Sequence, residues 1–251
     1  MGRLIRAILI AAVASNAAVA QQNQPESVPN APSSQEVQAA PQESNPNALQ
    51  SSVGFVLLLQ DKSKVFPDLA TTGGPLTSFD KFKLAANNSV AVFTVGAAAL
   101  GAGFGQAIDT PSGYHQGAEG YAKRFGANMA RATSANVFGT FLLASAMHQD
   151  PRFYVRKNLN FGQSVEYAAW RLLCTQTDSG ERQINYSGLI GPLMGEGLAN
   201  AYYPQQNRTA GSTLTRYASD MGWRFGGHLL RQYWPEINRR LRLASESTNA
   251  K

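Results

Sequence analysis

From Thr77 onward, apolar positions recur every three to four residues, and runs of Val, Ile or Thr at period two are missing, which predicts an all-α domain. The first long helix is expected to open at Thr77 or Ser78, whose hydroxyls can cap first-turn amides, and to run to Ile108 before Asp109-Thr110-Pro111 ends it. A loop of turn formers follows, from Asp109 to Gly117. Tyr121, Phe125, Asn128, Ala132, Asn136, Gly139, Leu143 and Met147 then share one stripe, so one helix, or two nearly collinear ones, should reach Gln149, where Asp150-Pro151 stops it. Two long segments joined by a short loop make a helical hairpin.

A third helix is expected from near Ser164, with Val165, Ala168, Ala169, Leu172 and Leu173 on one face, fading at Thr177-Asp178-Ser179-Gly180. The fourth lies between Ser187 and Tyr203, with Gly188, Gly191, Gly195 and Ala199 on one smooth face, and Pro204 ends it. Each glycine costs a helix about 1 kcal/mol, so this many implies close contact between helices. The last helix runs from about Ser212 to Tyr233, turning Leu214, Tyr217, Ala218, Met221, Phe225 and Leu229 inward and spacing Arg216, Asp220, Arg224 and His228 along a charged face. Trp234-Pro235 should break it. The expected fold is a compact bundle of about five helices with Ala/Gly-rich packing.

Upstream of this domain, residues 1–20 have the form of a secretory signal peptide: Arg3 and Arg6, a short apolar stretch, then Ala18-Val19-Ala20 for cleavage before Gln21. Residues 21–50 are rich in Gln, Pro, Ser and Asn and contain no aromatic, so they are expected to form a disordered tether leading to a helical domain over residues 51–251. The run 53–59 (VGFVLLL) suits helix or strand equally.

Composition changes the picture in two ways. Charged residues make up 15% of the chain, well below the ~25% of an average soluble domain, so either helices pack very closely or part of the surface meets lipid. The 25 uncharged residues between Lys83 and Asp109 are long enough to cross a bilayer, but eight alanines and four glycines suit a buried helix as well; both readings stand. Gly101 and Gly105, at the spacing of a close helix contact, are candidate packing positions, as are Gly191 and Gly195. Charge is also uneven: residues 51–119 carry four basic and five acidic side chains, residues 120–251 sixteen and eight. For an exported protein that basic half points to a membrane surface, anionic lipid, cell-wall polymer or another envelope protein, and not to nucleic acid. Trp234 with Arg239, Arg240 and Arg242 is the candidate anionic-surface site.

Candidate chemistry is sparse. Cys174 has no partner for a disulfide, no metal-binding spacing occurs, and no cofactor is expected; Gly-x-Ser-x-Gly is absent, and Gly101-x-Gly103-x-Gly105 lies inside a helical stretch. The densest group of acid, base and anion-binding side chains is His148-Gln149-Asp150-Pro151-Arg152, where His148 also suits a helix C-terminus. Glu196, a lone carboxylate in an apolar helix, is expected to pair with Arg171 or Arg131, or else to act as an acid. Pro111-Ser112-Gly113-Tyr114-His115 resembles the Pro-Ser-Gly-His loop of membrane-associated lipid phosphatases. The resemblance implies a helical enzyme with a basic phosphate cluster and a second histidine, backed by an acid four residues later. Here it covers five residues: a tyrosine precedes the histidine, Asp150 follows His148 by two positions, and no Lys-x6-Arg-Pro precedes the loop. Two functions follow: a non-catalytic envelope module, or a lipid-directed hydrolase using His115, His148 and Asp150. The hydrolase needs the two histidines beside each other.

Overall fold

A computed structural model of the chain describes residues 62–70 and 74–249, with side chains for 64–70 and 74–241. The segments expected to form a signal peptide and a tether, and the run 53–59, lie outside the described residues. A single turn, α1 (Lys62–Val65), comes first. Thr77 then caps α2 (Ser78–Ser89): its hydroxyl accepts the Asp80 amide, and the Asp80 carboxylate accepts the Thr77 amide. The helix does not continue to Ile108 as predicted. It stops after Ser89 and resumes as α3 (Val92–Ala107), bent by 42°. Asn87, Asn88 and Ser89 are weak helix formers, and the Asn88 carbonyl is taken locally, by the Ala91 amide and at 2.7 Å by the Thr94 hydroxyl.

After a 3-10 turn at Ser112–Tyr114, α4 (Gly117–Ala135) passes without a break into a π-helix (Asn136–Leu143) and a last turn, α5 (Ala144–Ala146). This is the long second helix that the stripe predicted. The two arms of the hairpin lie antiparallel, with Lys81 against the Ala144 carbonyl, Ser89 against Asn136 and the Ala98 carbonyl against Asn128.

The third predicted helix is α6 (Phe161–Leu173), capped reciprocally by Asn160 and Gln163. Its inner face differs from the predicted one: Ser164, Tyr167, Ala168, Ala169 and Arg171 are buried, while Leu172 and Leu173 are half-exposed. Arg171 takes the inner position because its guanidinium donates to the Arg152 carbonyl at 2.6 Å. Beyond it the chain forms a small antiparallel sheet in the order β1-β2-β3, from β1 (Gln149–Asp150), β2 (Cys174–Thr177) and β3 (Arg182–Ile184). Asp150 pairs with Gln176, and Cys174 with Ile184. Strands of two to four residues are too short to register as a period in the sequence.

Tyr186–Ala199 forms α7, which lies on α4 and the π-helix. The final helix, α8 (Ala210–Asn249), runs straight through Pro235, where a break was predicted. Trp234 and Ile237, on either side of that proline, are both anchored in one cluster with Val65, Phe66, Leu69, Phe153 and Tyr167, which offsets the hydrogen bond that proline removes. Leu214, predicted to point inward, is 59% exposed. A second buried cluster joins Tyr114, Ala127, Ala199 and Tyr203. Six helices of twelve or more residues thus make up the bundle among the described residues.

Candidate functional site

His115 precedes α4 and His148 follows α5; both are exposed, and the continuous helical run 117–146 separates them, roughly 40 Å at a rise near 1.5 Å per residue. They share no pocket, which removes the hydrolase built on His115, His148 and Asp150. The Pro111–His115 loop is instead held by Arg124, whose buried guanidinium collects the carbonyls of Thr110, Pro111 and His115 and the side chains of Gln106 and Asp109 at 2.6–3.1 Å. That is a scaffold for a turn, with the His115 ring left in solvent.

Asp150 is buried, and Arg152 grips both its carboxylate oxygens while the Tyr154 hydroxyl donates to it at 2.6 Å. Burial pushes the carboxyl up, but the hydrogen bonds from Arg152 and Tyr154 outweigh it and hold Asp150 below the usual aspartate value. Burial and the Asp150 carboxylate push the Tyr154 phenol up to about 12, so it stays protonated. Asp150 and Tyr154 border a cleft of about 420 Å³ that the 177–180 turn also lines. There Lys81, almost fully buried, pairs with Asp178 at 2.7 Å and donates to the Ala144 carbonyl. Sequence reasoning missed Lys81, since its partner lies 97 residues away. Asp150 and Asp178 are each neutralised by a cation, so the cleft presents no free base or nucleophile among these groups.

Glu196 sits at the centre of the bundle between two cations. Arg131 of α4 donates to one carboxylate oxygen at 2.6 Å and Arg216 of α8 to the other at 3.0 Å. Arg131 was one of the two expected partners; Arg171 is engaged elsewhere, and Arg216 was not foreseen. Arg216 also donates to Asn200 and to the Asn207 carbonyl and lies over the Tyr203 ring, so the network ties α4, α7 and α8 together. A carboxylate held this way is a structural ion pair and not an exposed acid.

Trp234 is not at the surface. It is 5% exposed, edge-on to Phe66 at 5.2 Å, so it leaves the proposed anionic-surface group. Arg239 and Arg240 are exposed but both bind Glu236, and Arg242 lies outside the residues whose side chains are described. Three other exposed arginines carry no ion pair among the described residues: Arg208 donates to the Tyr203 carbonyl, Arg156 lies over the rings of Tyr167 and Trp170, and Arg182 lies over Trp170. No local spacing connects Arg156, Trp170 and Arg182, so the sequence alone gave no signal for them.

Many large apolar side chains lie at the surface. α3 buries Ala98, Ala102 and Gly105 and turns Val95, Leu100 and Phe104 outward, Leu100 being 68% and Phe104 61% exposed. α7 buries Gly191, Pro192, Gly195, Glu196 and Ala199 and turns Ile190, Leu193, Met194 and Leu198 outward. Phe79, Phe82 and Val90 on α2 and the following bend, and Val137 and Leu142 on the π-helix, are exposed as well. Close approach is what the inner small residues allow: a Cβ on Gly191 would overlap the Gly139 backbone, and one on Gly195 would press on the Ala135 amide at 3.1 Å. Gly105 lies instead against the Thr110 carbonyl and Arg124, and Gly101 against the Asn128 side chain. Among the described residues, no single helix is long and apolar enough to cross a membrane, though α2 and α3 together meet that length and composition. No protein-family model, curated protein or solved structure matches the chain.

Proposed function

We propose that the protein is an exported, non-catalytic component of the cell envelope whose helical domain docks into the membrane surface through the outer faces of α2, α3, the π-helix and α7. The observation that carries this reading is the inverted packing of α3 and α7, with large aliphatic and aromatic side chains outside and glycine, alanine and ion pairs inside. Full burial of a Leu or Phe side chain is worth about 1.5–3 kcal/mol. A water-facing bundle would turn Leu100, Phe104, Leu193 and Leu198 inward to gain it, whereas a lipid-facing one gains it outside and packs small residues between helices. The signal-peptide form of residues 1–20 and the basic excess over residues 120–251 agree with an anionic membrane as partner.

Fractionation of the native envelope, with flotation of the purified full chain on neutral phosphatidylcholine vesicles, tests this. The protein is expected to stay with membranes through high-salt and carbonate washes and to float with neutral vesicles. Release by carbonate together with failure to float would overturn lipid docking and leave a protein partner in the envelope as the occupant of the apolar face.

A further inference from the structure

We propose that Arg156, Trp170 and Arg182 form a clamp for the phosphate of an acidic phospholipid headgroup, placed at the edge of the apolar face. The inference rests on the membrane-docking reading and names the lipid that reading leaves open. Three elements build the clamp: the segment after β1 supplies Arg156, the last turn of α6 supplies Trp170, and β3 supplies Arg182. The Arg156 guanidinium lies 4.5 Å from the Tyr167 ring centroid and 5.9 Å from that of Trp170, and the Arg182 guanidinium 5.8 Å from that of Trp170. Tyr167 and Trp170 are themselves stacked at 6.1 Å, so the cations share one aromatic platform.

A guanidinium held against an aromatic face keeps its in-plane N–H edge for a second partner, and that fork matches phosphate oxygens two at a time. Neither arginine spends its fork on a carboxylate among the described residues, although Glu166 and Glu181 lie in the same region, and exposed Lys157 adds a third positive charge. Arg239 and Arg240, by contrast, are both turned onto Glu236.

Position favours a lipid over a free anion. The Asn185 side chain ties the end of α6 to the start of α7 by donating to the carbonyls of Arg171 and Leu172. The end of α6 that carries Trp170 is therefore joined to the start of α7, the helix whose outer face exposes Tyr186 and Ile190. Arg182 and Ile184 project from the same side of β3, so a basic and an apolar group stand next to each other as a headgroup and acyl chain require.

The test compares two charge-matched variants of the full chain. Arg156→Gln/Arg182→Gln is expected to weaken partition into phosphatidylcholine vesicles containing phosphatidylglycerol by about twenty-five-fold, roughly five-fold for each arginine near the surface. Arg239→Gln/Arg240→Gln removes the same charge from the paired site and is expected to cost at most about five-fold. Equal losses would show diffuse attraction and overturn the clamp. Inorganic phosphate and glycerophosphoglycerol, titrated while the Trp170 indole N–H resonance is followed, separate the sources. A phosphate-induced shift with unchanged vesicle partition in the Arg156/Arg182 variant would overturn the lipid assignment in favour of a soluble anion. Neutral-vesicle binding of the unmodified chain reports on the apolar docking face alone, so a failure there is distinguishable from a failure of the clamp.

Discussion

At Glu196 one carboxylate holds two guanidiniums, and both arginines are mostly buried. Glu196→Gln leaves Arg131 and Arg216 without a counter-charge, an arrangement that costs about 3–5 kcal/mol because neither cation can return to water. Thermal unfolding followed by circular dichroism is expected to show that loss; a change within experimental scatter would mean the pair is solvated. His228 makes stability depend on pH just below neutrality. Burial, reinforced by the charges of Arg231 and Arg171, holds its imidazole well below the usual 6.5, and its Nδ1 faces the Ala168 carbonyl at 3.3 Å. The unfolded chain therefore binds a proton that the folded one refuses. Stability is full above about pH 6.5 and falls below it by up to about 1.4 kcal/mol per pH unit until the folded group titrates. His228→Leu should flatten that part of the profile, and an unchanged slope in the variant would assign the pH dependence to another group.

Elements differ in how much of their geometry is local. The capping box at Thr77 and Asp80 is written in four adjacent residues, and the start of α2 follows from it. The break after Ser89 and the passage of α8 through Pro235 are not local. The first depends on a Thr94 hydroxyl taking a carbonyl, the second on Phe66 and its neighbours holding Trp234. Glycine spacing shows that a helix has a small-residue face but not how tight the contact is. Gly191 and Gly101 have similar sequence settings, yet Gly191 meets Gly139 backbone and Gly101 meets a side-chain amide that can move. Gly191→Ala is accordingly expected to destabilise by about 1–3 kcal/mol through overpacking. Chemical unfolding of the variant measures it, and a stabilised variant would show that α7 and the π-helix stand further apart.

For the whole molecule, the distribution of apolar side chains carries the functional reading. Val65 and Leu69 are the large aliphatic residues buried in the core among the described residues; the rest of that core is aromatic or alanine. The other described leucines, isoleucines and methionines lie partly or fully outside, above all on α3 and α7. Periodicity in the sequence assigns the helical class correctly but does not say which face is inner, because on a helix such as α7 both faces are uncharged except for Glu196. The candidate catalytic group failed at this scale as well: His115 and His148 flank one helix, and a rigid rod holds its two ends apart.

By itself, then, the sequence determined what is encoded over a few residues: a helical class, the cap at Thr77, the loop from Asp109 to Gly117, the glycine face of α7 and the basic excess of the second half. Tertiary structure decided what depends on residues far apart in the chain. It placed Glu196 between Arg131 and Arg216, drew Trp234 into the core, tied Arg239 and Arg240 to Glu236, and left Arg156 and Arg182 on the Trp170 ring. The physical reason is the range of the interactions. Backbone hydrogen bonds and caps act within one or two turns, whereas burial and charge pairing are settled by whichever helix comes to lie alongside.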